Sequence, residues 1–263
     1  MTKFKSEKML TRWQSVVTFI CIAIVTLLFF VFVMRKQKAP LNSVMIGERM
    51  SQISMYYSDG TKYEHSANSI AVYFYLDMAC GICTEQLPYI ARMINIFADD
   101  RLEIEIVWAN EIPDNNTIEN RHQLTLRGEE RLASVTPYMF VVSSENIVLF
   151  TGTLNFNSLT QYLMSLSSNE YTAQAIRELK RLGYIQEQTS TVIFFSAVNC
   201  FSCEEEYEKL KQAYECNFVV ITEEEITSIE QIYDPMIFAN IFHVQAYPSC
   251  IWLNSDAEIV GKR

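Results

Sequence analysis

The sequence predicts an α/β protein made of two similar halves behind an apolar N-terminal segment. Each half contains an apolar run rich in Val, Phe and Tyr, then C-x-x-C, then apolar residues at helical spacing. The two copies begin at Val72 and Val192, an offset of 120 residues. A continuous apolar run indicates a strand buried on both faces of a sheet, and the 3.6-residue pattern after it indicates an amphipathic helix.

Charge divides the chain into two unlike parts. The 263 residues carry 21 Lys and Arg against 31 Asp and Glu, a net charge of −10. Residues 1–38 carry +6 by themselves, so the rest of the chain carries −16. Because nucleic-acid binding needs fields of Lys and Arg opposite the phosphates, this acidic body argues against a nucleic-acid partner.

The apolar segment at residues 13–34 contains no charged side chain and is followed by Arg35-Lys36-Gln37-Lys38. About 20 apolar residues in a helix cross a hydrocarbon core of about 30 Å. We therefore expect a single transmembrane anchor after a short tail at residues 1–12. A cleaved signal peptide is the alternative, although no good small-x-small cleavage site follows the run. A short basic N-terminus held in the cytoplasm would place the remaining residues outside it, in the periplasm or at the cell surface.

The two halves also continue alike after the helix that follows C-x-x-C. Each repeats a second strand, a variable segment, an X-Pro step that opens a strand, a polar turn and a short final strand. The second strands and the strands after proline are expected at 102–108 and 138–142 in the first half, and at 218–222 and 250–253 in the second. This alternation indicates an α/β domain whose sheet ends in an antiparallel hairpin.

The predicted organisation is a linker at 35–52, a first domain at 53–168, a connecting helix within 169–187 and a second domain at 188–263. Apolar residues at helical spacing place the connecting helix at 172–182, ending before Gly183. The second domain has no terminal helix, so one face of its sheet would be uncovered unless the first domain or the connecting helix covers it. No Pro-, Gly- or Ser-rich linker separates the domains, so we expect them to pack or to stay at a fixed distance.

The candidate catalytic residues are the two C-x-x-C pairs, Cys80 with Cys83 and Cys200 with Cys203. A zinc site is the alternative, but it needs two pairs close together on tight turns, and these are about 117 residues apart. We therefore predict no metal. Free N–H groups and the helix dipole at a helix N-terminus favour a thiolate on the first cysteine. The second cysteine, one turn further on, is close enough to attack a mixed disulfide.

This arrangement resembles the thioredoxin superfamily in both copies, over roughly residues 54–168 and 188–263. The resemblance implies two tandem thioredoxin-like folds, each a central mixed sheet flanked by helices, and no bound cofactor. Pro88 stands where thioredoxins carry a proline in this helix. Thr136-Pro137 and Tyr247-Pro248 stand at the position of the family's cis-proline, which implies that they lie beside the sulfurs and contact substrate.

An additional hairpin is expected at residues 53–64, with an Asp59-Gly60 turn. It resembles the hairpin of membrane-anchored, extracytoplasmic thioredoxin-like proteins. That resemblance implies thiol–disulfide exchange outside the cytoplasm.

The sequence departs from the family pattern at several positions. Phe74 and Phe194 stand where many thioredoxins bury an acidic residue, so proton transfer to the second thiol would need another base or water. The strands of Cys216 and Cys250 should lie about two 4.8 Å spacings apart, whereas a disulfide needs Cα atoms within about 7 Å. We therefore predict that these two cysteines do not pair and belong to the core, with Cys250 a minor redox candidate.

The function that these features favour is a membrane-anchored thiol–disulfide oxidoreductase. Cys80 would attack and Cys83 would resolve, while Cys200 and Cys203 would form a second pair that works independently or passes electrons to the first. The partners would be exported cysteine-containing proteins and a redox protein that recharges the pairs. The alternative is a non-catalytic binding or chaperone module in which both pairs are structural disulfides.

Overall fold

The computed structural model describes residues 45–50, 53–113, 118–127, 131–166, 171–223 and 231–263. The tail at residues 1–12 and the predicted anchor at residues 13–34 lie outside the described residues. Within the described part of the chain, no helix combines the length and the apolar character needed to cross a membrane.

The described residues form two mixed sheets and five α-helices. The strands of the first sheet are β1 (Met55–Tyr56), β2 (Ile70–Leu76), β3 (Leu102–Trp108), β4 (Gln123–Leu126), β5 (Tyr138–Val142) and β6 (Val148–Thr153). Those of the second are β7 (Thr191–Ser196), β8 (Asn217–Thr222), β9 (Gln231–Tyr233), β10 (Ser249–Leu253) and β11 (Ile259–Lys262). The helices are α1 (Gly81–Phe97), α2 (Phe156–Leu166), α3 (Thr172–Arg181), α4 (Phe201–Ala213) and α5 (Ile237–Ile241), with a 3₁₀ helix at Asn120–His122.

Five strands of the first sheet have the same order and directions as the five strands of the second, and the sixth, β1, has no counterpart. In the first sheet the order is β1-β4-β3-β2-β5-β6, and in the second it is β9-β8-β7-β10-β11 when read from the matching edge. The strand before C-x-x-C pairs in parallel with the next strand and antiparallel with the strand after proline. The predicted α/β order with a closing antiparallel hairpin is therefore confirmed in both halves. The sequence did not predict β4 and β9, which extend the parallel side of each sheet.

The segment before β2 covers one face of the first sheet. The predicted turn forms, with Gly60 at φ +85° and the Thr61 amide donating to Asp59 Oδ1 at 2.8 Å. The two arms of the hairpin meet at a bridge between Tyr56 and Lys62. The Tyr57 amide donates to the Thr61 carbonyl at 2.9 Å and the Tyr63 amide to the Met55 carbonyl at 2.8 Å, while β1 also pairs with β4. Residues 45–50, part of the predicted linker, also pack on this sheet: the Gly47 amide donates to the Val148 carbonyl at 2.9 Å.

One apolar core lies between the two sheets. It contains residues of β2 and α1 from the first half together with Ile193, Phe195 and Ile251 from the second sheet. Leu159 of α2 and Leu179 of α3 belong to the same core. The inner face of the second sheet is therefore covered by the first half, by the connecting helix and by α5, whose residues belong to the same core. Its outer face is covered by α4, through a separate apolar cluster.

The connecting helix α3 ends as its sequence predicts. Gly183 adopts φ +82°, a conformation that glycine reaches without steric cost. Its amide donates to the Lys180 carbonyl at 2.9 Å, and the Tyr184 amide donates to the Leu179 carbonyl at 3.0 Å. These two bonds form a Schellman motif, which satisfies carbonyls that the helix end would otherwise leave unpaired.

A buried ion pair joins the two halves. Arg92 of α1 donates from Nη1 to Oδ1 of Asp234 at 2.9 Å, and both side chains are almost completely buried. The same Asp234 accepts a 2.8 Å bond from the Phe238 amide at the start of α5, and the Arg92 guanidinium lies 4.8 Å from the centre of the Phe238 ring. A buried charge needs such a partner, because removing the partner leaves the other charge uncompensated.

We predict that Arg92→Ala lowers the free energy of unfolding by about 3–5 kcal/mol, because Asp234 then stays buried without its cation. Urea unfolding followed by circular dichroism measures this change. Lys209→Ala, which removes an exposed ion pair with Glu205, is the matched control and should leave the unfolding midpoint unchanged. Equal midpoints for the two variants would contradict the importance of the buried pair.

Candidate redox site

The first C-x-x-C pair lies at the carboxyl end of β2, where the chain turns into α1. The turn is held by Asp77, whose Oδ1 accepts bonds from the Ala79 amide at 2.9 Å and from Asn110 Nδ2 at 3.1 Å. Cys80 is the N-cap residue of α1 and has extended backbone angles. The helix therefore begins at the sulfur-bearing residue, as the sequence predicts.

The two sulfurs of this pair have very different surroundings. Cys80 is half-buried, whereas Cys83, one turn further along α1, is 0 % exposed. A hydrogen bond from the Cys83 thiol is the main cause that lowers the pKa of Cys80, and the Cys83 and Ile82 amides at the helix N-terminus lower it further. Burial raises the pKa of Cys83 to about 11. The accessible sulfur is thus the more acidic one.

Thr136 and Pro137, which directly precede β5, complete the first site. Their peptide bond is cis, as the resemblance implied. The Cys80 thiol lies 3.5 Å from the Thr136 carbonyl oxygen, to which it donates. The Thr136 side chain is also close enough to both sulfurs to lower the pKa of each.

No carboxylate occupies the position that the family pattern gives to a buried acid. Phe74 is there, fully buried, with Met139 of β5 opposite it in the sheet. In the described residues, Thr136 is the side chain outside the pair that lies close enough to lower the pKa of both sulfurs. Sequence reasoning identified Thr136 by its place before the proline and missed this proximity, because only the fold shows where the side chain lies.

The second pair forms a disulfide between Cys200 and Cys203, with Cα atoms 5.2 Å apart. Cys200 is the N-cap residue of α4, and Cys203 is 2 % exposed. The Tyr247–Pro248 peptide bond is also cis. Each half therefore brings its C-x-x-C pair and its cis-proline to the carboxyl end of the strand before the pair.

The residue before the cis-proline differs between the halves in what it contacts. Thr136 faces the sulfurs of the first pair, whereas Tyr247 donates its hydroxyl to Glu223, the residue that follows β8. Burial is the main cause that raises the pKa of Tyr247, and the Glu223 carboxylate raises it further. Tyr247 is therefore a neutral donor at physiological pH, directed towards Glu223.

Apolar side chains are exposed around both pairs. Met78 and Ile82 each lie two residues from Cys80, and Val135 precedes Thr136, whose carbonyl accepts from the Cys80 thiol. All three are exposed, Ile82 by 59 %. Beside the second pair, Phe201 is 92 % exposed. Single exposed apolar residues are common, but several around one reactive sulfur form a surface suited to an apolar peptide segment.

The described residues contain no group of three or more His, Cys, Asp or Glu side chains that could hold a metal ion. Cys216 and Cys250 are both free, as predicted; Cys250 is buried and Cys216 is half-buried.

The fold and the two sites define a mixed α/β protein with repeated strand–C-x-x-C–helix units. Neither a protein-family model nor a curated protein matches the sequence. Solved structures that resemble part of the chain include the pneumococcal exposed lipoprotein thioredoxin Etrx1 from Streptococcus pneumoniae strain TIGR4. That likeness has a TM-score of 0.34 at 15% identity and covers 43% of this chain and 97% of that one.

Two further solved structures show a similar partial likeness. One is a putative thiol:disulfide interchange protein DsbE from Chlorobium tepidum, with a TM-score of 0.37, 13% identity, and coverage of 47% of this chain and 98% of that one. The other is the thioredoxin domain of a thiol-disulfide oxidoreductase from Bacteroides vulgatus, with a TM-score of 0.35, 13% identity, and coverage of 47% and 99%.

We predict that Thr136→Val raises the pKa of Cys80 by about 0.5–1 unit, because a net hydrogen bond of about 0.5–1.5 kcal/mol to the thiolate is lost. Alkylation of Cys80 at neutral pH, followed by mass spectrometry, should slow by about three- to tenfold. Thr84→Val is the matched control, because the Thr84 hydroxyl donates to the Gly81 carbonyl at 2.7 Å instead of interacting with a cysteine sulfur. An unchanged rate in Thr136→Val would contradict the role of this hydroxyl.

Proposed function

We propose that this chain is a membrane-anchored thiol–disulfide oxidoreductase with two tandem thioredoxin-like domains. The observation that carries the proposal is the asymmetry of the first pair. Cys80 is accessible and has a lowered pKa, whereas Cys83 is fully buried behind it with a pKa of about 11. An accessible acidic thiol beside a buried one suits a nucleophile and a resolving group.

The proposed exchange has two steps. The Cys80 thiolate attacks one sulfur of a client disulfide, which forms a mixed disulfide and releases the other client sulfur as a thiolate that takes up a proton. Cys83 then loses its proton and attacks the Cys80 sulfur, which releases the second client thiolate and leaves a Cys80–Cys83 disulfide. The client gains two electrons and the pair loses two. A second redox protein restores the dithiol, and the same steps in reverse would oxidise a client.

The resolving step needs help because Cys83 holds its proton tightly. The Thr136 side chain lies close enough to both sulfurs to lower the pKa of each, and its hydroxyl is both a donor and an acceptor. It stabilises the thiolate form on either sulfur as charge moves from one to the other. This role fits a site in which Phe74 stands at the position of the usual acid.

The client chemistry follows from the surface around Cys80. Exposed Met78, Ile82 and Val135 offer apolar contacts to an extended segment next to the client cysteine. Such segments are exposed in cysteine-containing proteins that have not finished folding. We propose exported proteins of this kind as the clients, with residues 13–34 as the membrane anchor and the two domains outside the cytoplasm.

The second pair has the same placement at a helix N-terminus, and its disulfide is the state ready to accept electrons. We propose that it acts as a second exchange site, either independently or in electron transfer to the first. Its surroundings differ, because Tyr247 is directed to Glu223 and Phe201 is fully exposed.

We predict that the protein, purified in detergent, reduces insulin with dithiothreitol as electron source, and that Cys80→Ser abolishes the part of the rate due to the first pair. Cys200→Ser measures the share of the second pair in the same assay. Cys216→Ser is the control and should retain the full rate, since this half-buried thiol belongs to neither pair. Turbidity of the insulin B chain follows the reaction.

Two outcomes separate the proposed enzyme from a binding module. A parent protein with no rate above dithiothreitol alone would contradict the oxidoreductase. It would favour a module that holds clients through the thioredoxin-like folds. A rate that survives Cys80→Ser but not Cys200→Ser would assign catalysis to the second half instead.

A further inference from the structure

The second half gathers its cysteines around one apolar cluster beneath α4. Cys203 and Cys250 are buried members of this cluster, at 2 % and 3 % exposure. Cys200 and Cys216 are partly buried and pack against it. A buried free thiol therefore lies in the same cluster as one sulfur of a disulfide.

Strand register fixes where Cys250 lies. It is directly opposite Phe194 in the antiparallel pair of β10 and β7, and cross-strand partners point to the same face of a sheet. Phe194 occupies the position of the buried acid in the family pattern, so Cys250 stands beside that position. The matching residue of the first half, opposite Phe74, is Met139. The additional thiol is thus a feature of the second site.

The charges around Cys250 show that it lies beneath the first turns of α4. Glu206, one turn after Cys203 on this helix, is close enough to raise the pKa of Cys250, although burial is the main cause. Arg263 lowers that pKa, and its backbone pairs with Cys250 through two hydrogen bonds of 2.8 and 2.9 Å. Arg263 also forms an ion pair with Glu206 at 2.8 Å.

We propose that Cys250 is a third redox-active thiol of the second site, which exchanges with the Cys200–Cys203 disulfide. The Cys250 thiolate attacks the Cys203 sulfur, the bond between Cys203 and Cys250 forms, and the bond between Cys200 and Cys203 breaks. Cys200 leaves as a thiolate and takes the proton that Cys250 lost. The exchange needs no oxidant, because one disulfide replaces another. It rests on the proposed redox activity of this pair and adds a second disulfide state to it.

Cys216 cannot replace Cys250 in this exchange, because it lies too far from Cys203. It follows the end of α4, and the ten residue steps from Cys203 to Ala213 span roughly 15 Å at 1.5 Å per step. A disulfide needs Cα atoms within about 7 Å. Cys216 therefore serves as an internal control, a free thiol at the edge of the same cluster that is too far from Cys203.

The exchange would change how the second site handles a client. With Cys203 bound to Cys250, Cys200 is a free thiol on the surface at the start of α4, next to the fully exposed Phe201. A mixed disulfide at Cys200 would then have no resolving thiol and would persist. The site would alternate between rapid exchange and prolonged covalent holding of a client.

The direct test uses the full chain in detergent with Cys200→Ser, which leaves Cys203 without its usual partner. After oxidation with diamide and alkylation of free thiols, peptide mapping should find most Cys203 in a peptide linked to Cys250. Adding Cys216→Ala should leave this link unchanged, and adding Cys250→Ala should abolish it. Alkylated Cys203, or Cys203 linked to Cys216, would overturn the proposal.

A second measurement uses the parent protein, so that a folding defect in the variant cannot decide the result. Burial raises the pKa of Cys250 to about 11, and only its thiolate attacks. The linked Cys203–Cys250 peptide should therefore form roughly tenfold faster for each unit between pH 7 and 9. No linked peptide at pH 9 would overturn the proposal. If the protein reduces insulin but forms no Cys203–Cys250 disulfide, only the present proposal fails. If it forms this disulfide but does not reduce insulin, only the proposed function is contradicted.

Discussion

The burial of β2 and β7 on both faces is the constraint on which the rest of the structure depends. Both strands are apolar along their length, so neither sheet can leave a face in water at these positions. The first sheet meets this requirement with the segment before β2 on one side and the shared core on the other. The second meets it with the shared core on its inner face and α4 on its outer face.

The same constraint positions the chemistry. A strand buried on both faces ends at the edge of its sheet, and the next residues must turn back to cover it with a helix. The first turn of that helix carries the C-x-x-C pair, so one sulfur stays at the surface and the other goes under the helix. Helix α1 also carries Arg92, whose buried pair with Asp234 joins the second half. The helix that presents Cys80 is therefore fixed by contacts from both halves.

Much of this architecture could be predicted from local signals in the sequence. The apolar runs, the paired cysteines, the two X-Pro steps and Gly183 each specify structure within a few residues, and each appears where expected. β4 and β9 were not predicted, because they have only four and three residues and begin with glutamine. Three features depend on tertiary placement and strand register instead: the Arg92–Asp234 pair, the Thr136 hydroxyl at the sulfurs, and Cys250 opposite Phe194.

The central claim is that Cys80 attacks and Cys83 resolves. Trapping tests it most directly: without Cys83, a mixed disulfide between Cys80 and a client cannot be resolved within the pair. Cys83→Ser, incubated with an oxidised cysteine-containing client, should accumulate a covalent adduct that peptide mapping places at Cys80 and that dithiothreitol releases. Cys80→Ser should form no adduct at Cys83, which is fully buried. Adduct at Cys83 in that variant, or none at Cys80 in Cys83→Ser, would contradict the account.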